Sequence, residues 1–68
     1  SLKKEEEEEL IIIENSIILF TKSANRLFEV HKNEGQDEIV DYVAQSSPIV
    51  FPDLTSIEIE IVCFVLLN

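Results

Sequence analysis

One histidine and one cysteine are the side chains best suited to chemistry in this sequence of 68 residues. His31 has no serine or cysteine close to it in the sequence, so no pair of nucleophile and base is indicated. Cys63 lies among Val62, Phe64 and Val65, where a thiol usually packs as a small apolar group. We therefore expect structural roles for both residues and predict no catalytic site.

The composition argues against several classes of ligand. A single Cys and a single His cannot supply the ligand clusters of structural zinc sites, and a single Gly cannot build a glycine-rich phosphate loop. We therefore predict neither a metal nor a cofactor. Five basic and fourteen acidic residues give a net charge of −9, which opposes binding to nucleic acid phosphates.

The longest uninterrupted apolar run covers residues 61–67 and is far shorter than the roughly 20 residues of a membrane-spanning helix. We therefore predict no membrane segment. The unpaired cysteine inside this run fits a reducing compartment, so we expect the protein in the cytoplasm, the nucleus or both.

Residues 1–14 form an acidic N-terminal segment. Five consecutive glutamates at 5–9 repel one another, which predicts a solvated tail or a short helical stub. The apolar run at 10–13 consists of one leucine and three isoleucines, and isoleucine favours strands. A short strand is therefore predicted at 10–13.

Three further short apolar runs predict a small sheet. Residues 17–22 and 26–32 are separated by a polar, turn-like segment, which indicates an antiparallel hairpin. Residues 49–51 lie between two prolines and predict a third strand.

A first helix is predicted at 37–46. Asp37 is suited to cap its N-terminus, and the apolar residues at 39, 40, 43 and 44 share one helical face. Pro48 should end the helix, because the residue before a proline avoids helical backbone angles.

A second helix is predicted at 55–67, although the alternating residues 57–61 are also typical of a strand. Thr55 and Glu58 have the spacing of a capping box, and Leu54 and Ile59 have that of a hydrophobic staple. Carboxylates in the first turns also favour the helix dipole. These cues favour the helix, whose surface is apolar nearly all round and which should be the most buried one.

Four short motifs follow one another in an order that resembles a known family. They are Ser-Ile-Ile-Leu at 16–19, Leu-Phe-Glu-Val at 27–30, Ile-Val-Phe-Pro-Asp-Leu at 49–54 and Val-Cys at 62–63. This order is similar to the first half of the Skp and elongin C adaptors of the BTB/POZ superfamily. The turn at 23–26 departs from the family pattern, and the family's later helices would lie beyond Asn68.

The resemblance implies an α+β fold, with a POZ-like domain at 15–68 built from a hairpin, a third strand and two main helices, and it implies that Phe28 and Phe51 on the strands are buried. It also implies a non-enzymatic adaptor that links a cullin to a substrate receptor of the F-box type in a ubiquitin ligase. The alternative is a fragment of a winged-helix DNA-binding regulator, since residues 54–66 are similar to the opening helix of such proteins. No Lys or Arg follows Lys32, which weighs against that alternative.

The second helix carries more apolar surface than a chain of this size can cover, and large exposed apolar patches usually mark interfaces. We therefore expect either a protein partner or a homodimer, bound through the end of this helix, with residues 10–13 as a second candidate edge. The expected partner-binding residues are Phe51, Pro52, Asp53, Phe64, Leu66 and Leu67.

Overall fold

The computed structural model describes residues 3–68, and these residues form three α-helices joined by two short connections. Helix α1 spans Lys4–Val30, α2 spans Gln36–Val50 and α3 spans Ser56–Leu67. Each helix packs against the other two. Residues 3–68 contain no strand, so the predicted α+β, POZ-like fold is wrong.

Helix α1 replaces the predicted strand at 10–13 and the predicted hairpin at 17–32. Its apolar residues at 10, 13, 17, 20, 24 and 27 alternate spacings of three and four, which is the period of a helix face. Intrinsic strand preference spans only about 1 kcal/mol and depends strongly on context. Packing of this stripe from Ile17 onward against α2 and α3 therefore overrides the preference of the isoleucine runs.

The acidic residues 5–9 form the first turns of α1 and are exposed to solvent. No side chain caps this helix end, but three glutamates lie in its first turn, where the helix dipole favours negative charge. Residues 5–9 are solvated as predicted, but they belong to a helix of 27 residues rather than to a tail or a short stub. Residues 1 and 2 of the predicted segment lie outside the described residues.

Helix α2 begins close to the predicted position but ends four residues later than predicted. Its N-cap is Gly35 rather than Asp37, and no side chain caps it. Pro48 lies within the last turn of the helix, and the amide of Phe51 donates to the carbonyl of Ser47 at 2.7 Å. The predicted third strand at 49–51 is therefore wrong, because two of its residues complete α2 and Phe51 is the C-cap.

Helix α3 confirms the predicted second helix. The amide of Glu58 donates to Oγ1 of Thr55 at 3.2 Å, and Oε1 of Glu58 accepts from the amide of Thr55 at 2.8 Å. This is a complete capping box. Leu54 and Ile59, the two predicted staple residues, are both buried in the core.

The capping box gives a direct prediction for stability. We expect Thr55→Ala to lower the free energy of unfolding by about 1 kcal/mol, because the amide of Glu58 loses its side-chain partner and the carboxylate of Glu58 loses the hydrogen bond from the Thr55 hydroxyl. The hydrogen bond from the Thr55 amide, and then that from its hydroxyl, lower the pKa of Glu58 from its ordinary value of 4.5. This carboxylate therefore stabilises the fold above about pH 4.5, and that contribution is lost as the pH falls through the lowered pKa.

Urea unfolding at neutral and at acid pH measures both effects. Ser56→Ala is the matched control, because Ser56 is exposed and adjacent to Thr55 but takes no part in the capping box. Thr55→Ala should also show a smaller loss of stability on acidification than the wild type. Equal costs for the two substitutions would contradict the role of the capping box.

The core is small and lies along the C-terminal half of α1. Phe20 is 2% exposed, and its ring meets that of Phe51 edge-on, with centroids 5.6 Å apart. Burial of Phe28 is confirmed, whereas Phe51 is only half-buried. The buried apolar residues are Phe20, Ala24, Phe28, Ile39, Val43, Leu54, Ile59 and Cys63.

The N-terminal half of α1 projects beyond the other two helices. A helix of 27 residues is about 40 Å long, whereas helices of 15 and 12 residues reach only about 22 and 18 Å. The described chain measures 46 × 18 × 15 Å. All buried residues of α1 lie at or after Phe20, so the part of the helix before Phe20 has no fully buried side chain.

Candidate protein-interaction surfaces

The outward side of α3 is apolar. Ile57, Ile61, Phe64 and Val65 are 64%, 57%, 69% and 65% exposed. They are spaced four, three and one residues apart and therefore share one helical face, whereas Ile59 and Cys63 point into the core. We call these four residues the α3 outer face.

Carboxylates border the α3 outer face. Helical geometry places Glu60 on one side of the stripe and Glu58 on the other. Residues 33–68 hold seven of the fourteen acidic residues and no Lys or Arg. The surface is therefore an apolar stripe in a negative surrounding.

The six predicted partner-binding residues do not form one patch. Phe64 belongs to the α3 outer face, while Leu66 and Leu67 are half-buried against the core. Pro52 and Asp53 are exposed before the start of α3, and about 12 Å of helix separates that start from Phe64.

Ile57, Ile61 and Val65 were missed in the sequence prediction. Their spacing was visible, but α3 is apolar on all sides, so the sequence did not indicate which side would face outward. Only packing of Ile59 and Cys63 against α1 and α2 decides this.

A second apolar surface lies on α1. Ile11, Ile12, Ile18 and Leu19 are 55%, 52%, 47% and 59% exposed, on sides of the helix that do not contact the core. We call these four residues the α1 outer face. It overlaps the predicted candidate at 10–13, which is exposed on a helix instead of a sheet edge.

His31 lies in an open groove between α1 and α2. Its Nδ1 is 3.0 Å from Oε1 of Glu34, and Glu38 and Tyr42 also line the groove, whose volume is about 380 Å³. No Ser or Cys lines this groove, so His31 has no serine hydroxyl or cysteine thiol there to activate. Within residues 3–68, no three His, Cys, Asp or Glu side chains are placed to hold a metal ion.

Cys63 is buried in the core, and this burial raises the pKa of its thiol. A raised pKa leaves less of the reactive thiolate at neutral pH. We therefore expect a thiol reagent to label Cys63 slowly in the native protein and quickly in urea. Gln45→Cys in a Cys63→Ser background, which places a thiol on an exposed part of α2, is the control and should react at once. Equal native rates would show that Cys63 is accessible.

Comparison with protein-family models, curated proteins and solved structures finds no match for this chain. None of the helices within residues 3–68 combines the length and apolar character needed to cross a membrane. The functional argument therefore rests on the chain's own surfaces.

Proposed function

We propose that this chain is a non-enzymatic protein-interaction adaptor that binds its partner through the α3 outer face. The observation that carries this proposal is the row of four large apolar side chains, each more than half exposed, on one side of a capped helix. Apolar residues clustered in this way are typical of the centre of a protein interface. The groove around His31 offers no comparable arrangement for catalysis.

The charge around the α3 outer face indicates the chemistry of the partner. Two copies of this face packed together would bring Glu58 and Glu60 of both chains close to each other, with no basic residue in 33–68 to compensate. A partner with an apolar stripe bordered by Lys or Arg would complement the surface, because opposite charges at the rim favour encounter and orientation. We therefore propose a partner with a basic rim.

The more specific proposal, a link between a cullin and a substrate receptor, depends on the order of the short motifs. Three of those motifs were expected on strands, but residues 3–68 contain no strand. The motif order in the sequence supports this form of the proposal, and so does the presence of an apolar surface suited to a protein partner. The buried free thiol of Cys63 supports a location in the cytoplasm or nucleus.

The alternative of a winged-helix DNA-binding regulator is not favoured. A recognition helix reads base edges while basic residues neutralise nearby phosphates. Helix α3 carries Glu58 and Glu60 and no basic residue, so it would bring negative charge to the DNA.

Binding measurements with two matched variants test the proposal. Ile61→Gln changes the centre of the α3 outer face, while Ile49→Gln makes the same change at a residue that is 81% exposed at the end of α2. Burying an isoleucine contributes about 1.5–3 kcal/mol, so Ile61→Gln should weaken binding about tenfold or more. Ile49→Gln should bind like the wild type.

Calorimetry would use three sets of ligands: purified cullins, F-box receptors and an amphipathic helical peptide with lysines beside its apolar stripe. A peptide of the same composition in scrambled order controls for simple attraction to a negative protein. Binding of the peptide but not of cullins or receptors would remove the ubiquitin-ligase form of the proposal. Equal binding of the ordered and scrambled peptides, or equal effects of the two variants, would contradict the role of α3.

A further inference from the structure

The exposed side of α1 changes in chemical character along its length. It begins with the acidic residues 5–9, continues with the apolar α1 outer face, and then presents the basic residues Lys22 and Arg26. All of these charged residues are exposed. The same helix therefore offers negative charge at one end of an apolar patch and positive charge at the other.

Four of these residues repeat at intervals of seven. Glu5, Ile12, Leu19 and Arg26 lie along one line of the helix, because seven residues complete almost two full turns. Asn15 is exposed beside this line, close to its middle. From the N-terminal to the C-terminal end, the residues on this line are therefore acidic, apolar, apolar and basic, with a polar residue near the centre.

Within residues 3–68, the charges on this line form no ion pair. The one ion pair found among residues 3–68 joins His31 and Glu34. Glu5 and Arg26 are too far apart on one straight helix to meet, at roughly 31 Å. Their attraction can be satisfied only by another molecule.

We propose that a second copy of this chain docks on the α1 outer face, with the two α1 helices antiparallel about a twofold axis between Asn15 and Ser16. In this arrangement Ile12 packs against the partner's Leu19, and Glu5 faces the partner's Arg26. Glu8 lies beside the partner's Lys22. Twofold symmetry produces each of these contacts twice.

The charge distribution selects the antiparallel orientation. Parallel helices would place Glu5 against the partner's Glu5 and Arg26 against the partner's Arg26, and like charges in register oppose association. Asn15 lies near the proposed axis, where a polar residue within an apolar seam fixes register and orientation. Overlap from residue 5 to residue 26 extends over roughly 33 Å of helix, which includes the projecting half of α1.

This dimer goes beyond the proposed adaptor function, because it uses a different surface. The α3 outer face lies on another helix and stays open in the dimer. A dimer would therefore present two α3 outer faces to partners, and loss of one surface would leave the other intact.

Charge reversal followed by sedimentation equilibrium tests the inference. Lys22→Glu with Arg26→Glu should weaken the dimer at least tenfold, and so should Glu5→Lys with Glu8→Lys. Combining all four substitutions restores opposite charges at the same contacts and returns the net charge to −9, so dimerisation should recover. Lys3→Glu with Lys32→Glu is the control, since it adds the same negative charge outside the overlap.

Either of two kinds of result, one for the wild type and one for the variants, would overturn the proposal at this stage. The first is a wild-type chain that stays monomeric at every concentration. The second is a quadruple variant that fails to recover, or a control pair that weakens the dimer as much as Lys22→Glu with Arg26→Glu does.

Oxidative cross-linking tests the orientation in a Cys63→Ser background. Asn15→Cys should form a disulfide between copies, because the two sites lie close to the axis. Ser23→Cys should not, because antiparallel helices place its two copies roughly 22 Å apart along the axis. Cross-linking of both variants would show parallel helices, and cross-linking of neither would show another interface.

Discussion

Phe20→Ala is expected to leave much of the protein unfolded in the absence of denaturant. Truncation of a buried phenylalanine costs about 3–5 kcal/mol, through lost burial and the cavity that remains. A chain of this length has a total stability of about 3–10 kcal/mol, so the substitution removes a large part of it. Phe20 is 2% exposed and also loses its edge-on contact with Phe51, at a centroid distance of 5.6 Å.

Phe64→Ala is the matched control, because it deletes the same atoms from a side chain that is 69% exposed. Circular dichroism during urea unfolding should show a much lower midpoint for Phe20→Ala and little change for Phe64→Ala. Similar midpoints for the two variants would mean that the three helices do not pack around Phe20. The two aromatic residues therefore separate the core from the proposed interface.

Local signals predicted α3 correctly, and the reason is physical. The side chain of Thr55 accepts a hydrogen bond from the amide of Glu58, and the side chain of Glu58 accepts one from the amide of Thr55. Both bonds lie within one turn, so the interaction depends little on the rest of the chain. Two structural cues of this kind, the capping box and the staple, outweighed the alternating pattern at 57–61. A helix start fixed by side chains close in sequence can be inferred without knowledge of the tertiary fold.

Helix α1 could not be predicted from short windows. Its isoleucine runs favour strands one by one, and the segment at 21–26 has the composition of a turn. The decisive pattern is the spacing of Ile13, Ile17, Phe20 and Ala24, which becomes clear only across several turns. Tertiary packing of Phe20 and Ala24 against α2 and α3 selects the helix.

The candidate interface was predicted only in part, for a related reason. Sequence composition indicated that α3 has more apolar surface than can be buried, and four large apolar residues are indeed exposed. The sequence did not indicate the outward side, since every position from 61 to 67 is apolar. Phe64 was identified, while Leu66 and Leu67 turn towards the core.

Pro48→Ala is expected to stabilise the protein by about 2 kcal/mol. Pro48 lies inside α2, where a proline has no amide to donate to the carbonyl four residues earlier and its ring crowds that carbonyl, a penalty of about 3 kcal/mol. Loss of the ring also gives the unfolded chain more conformational freedom, which reduces the gain in stability by about 0.4–1 kcal/mol. Pro48 is exposed, so alanine removes no core contact.

Pro52→Ala provides the control with the opposite sign. Pro52 is exposed in the connection between α2 and α3, outside any helix. Its replacement only makes the unfolded chain less stiff, so Pro52→Ala should destabilise the protein by about 0.4–1 kcal/mol. Urea unfolding should therefore shift the two midpoints in opposite directions. If Pro48→Ala also destabilised the protein, α2 would end before Pro48, as the proline predicts from sequence alone, and the helical turn through Val50 would be wrong.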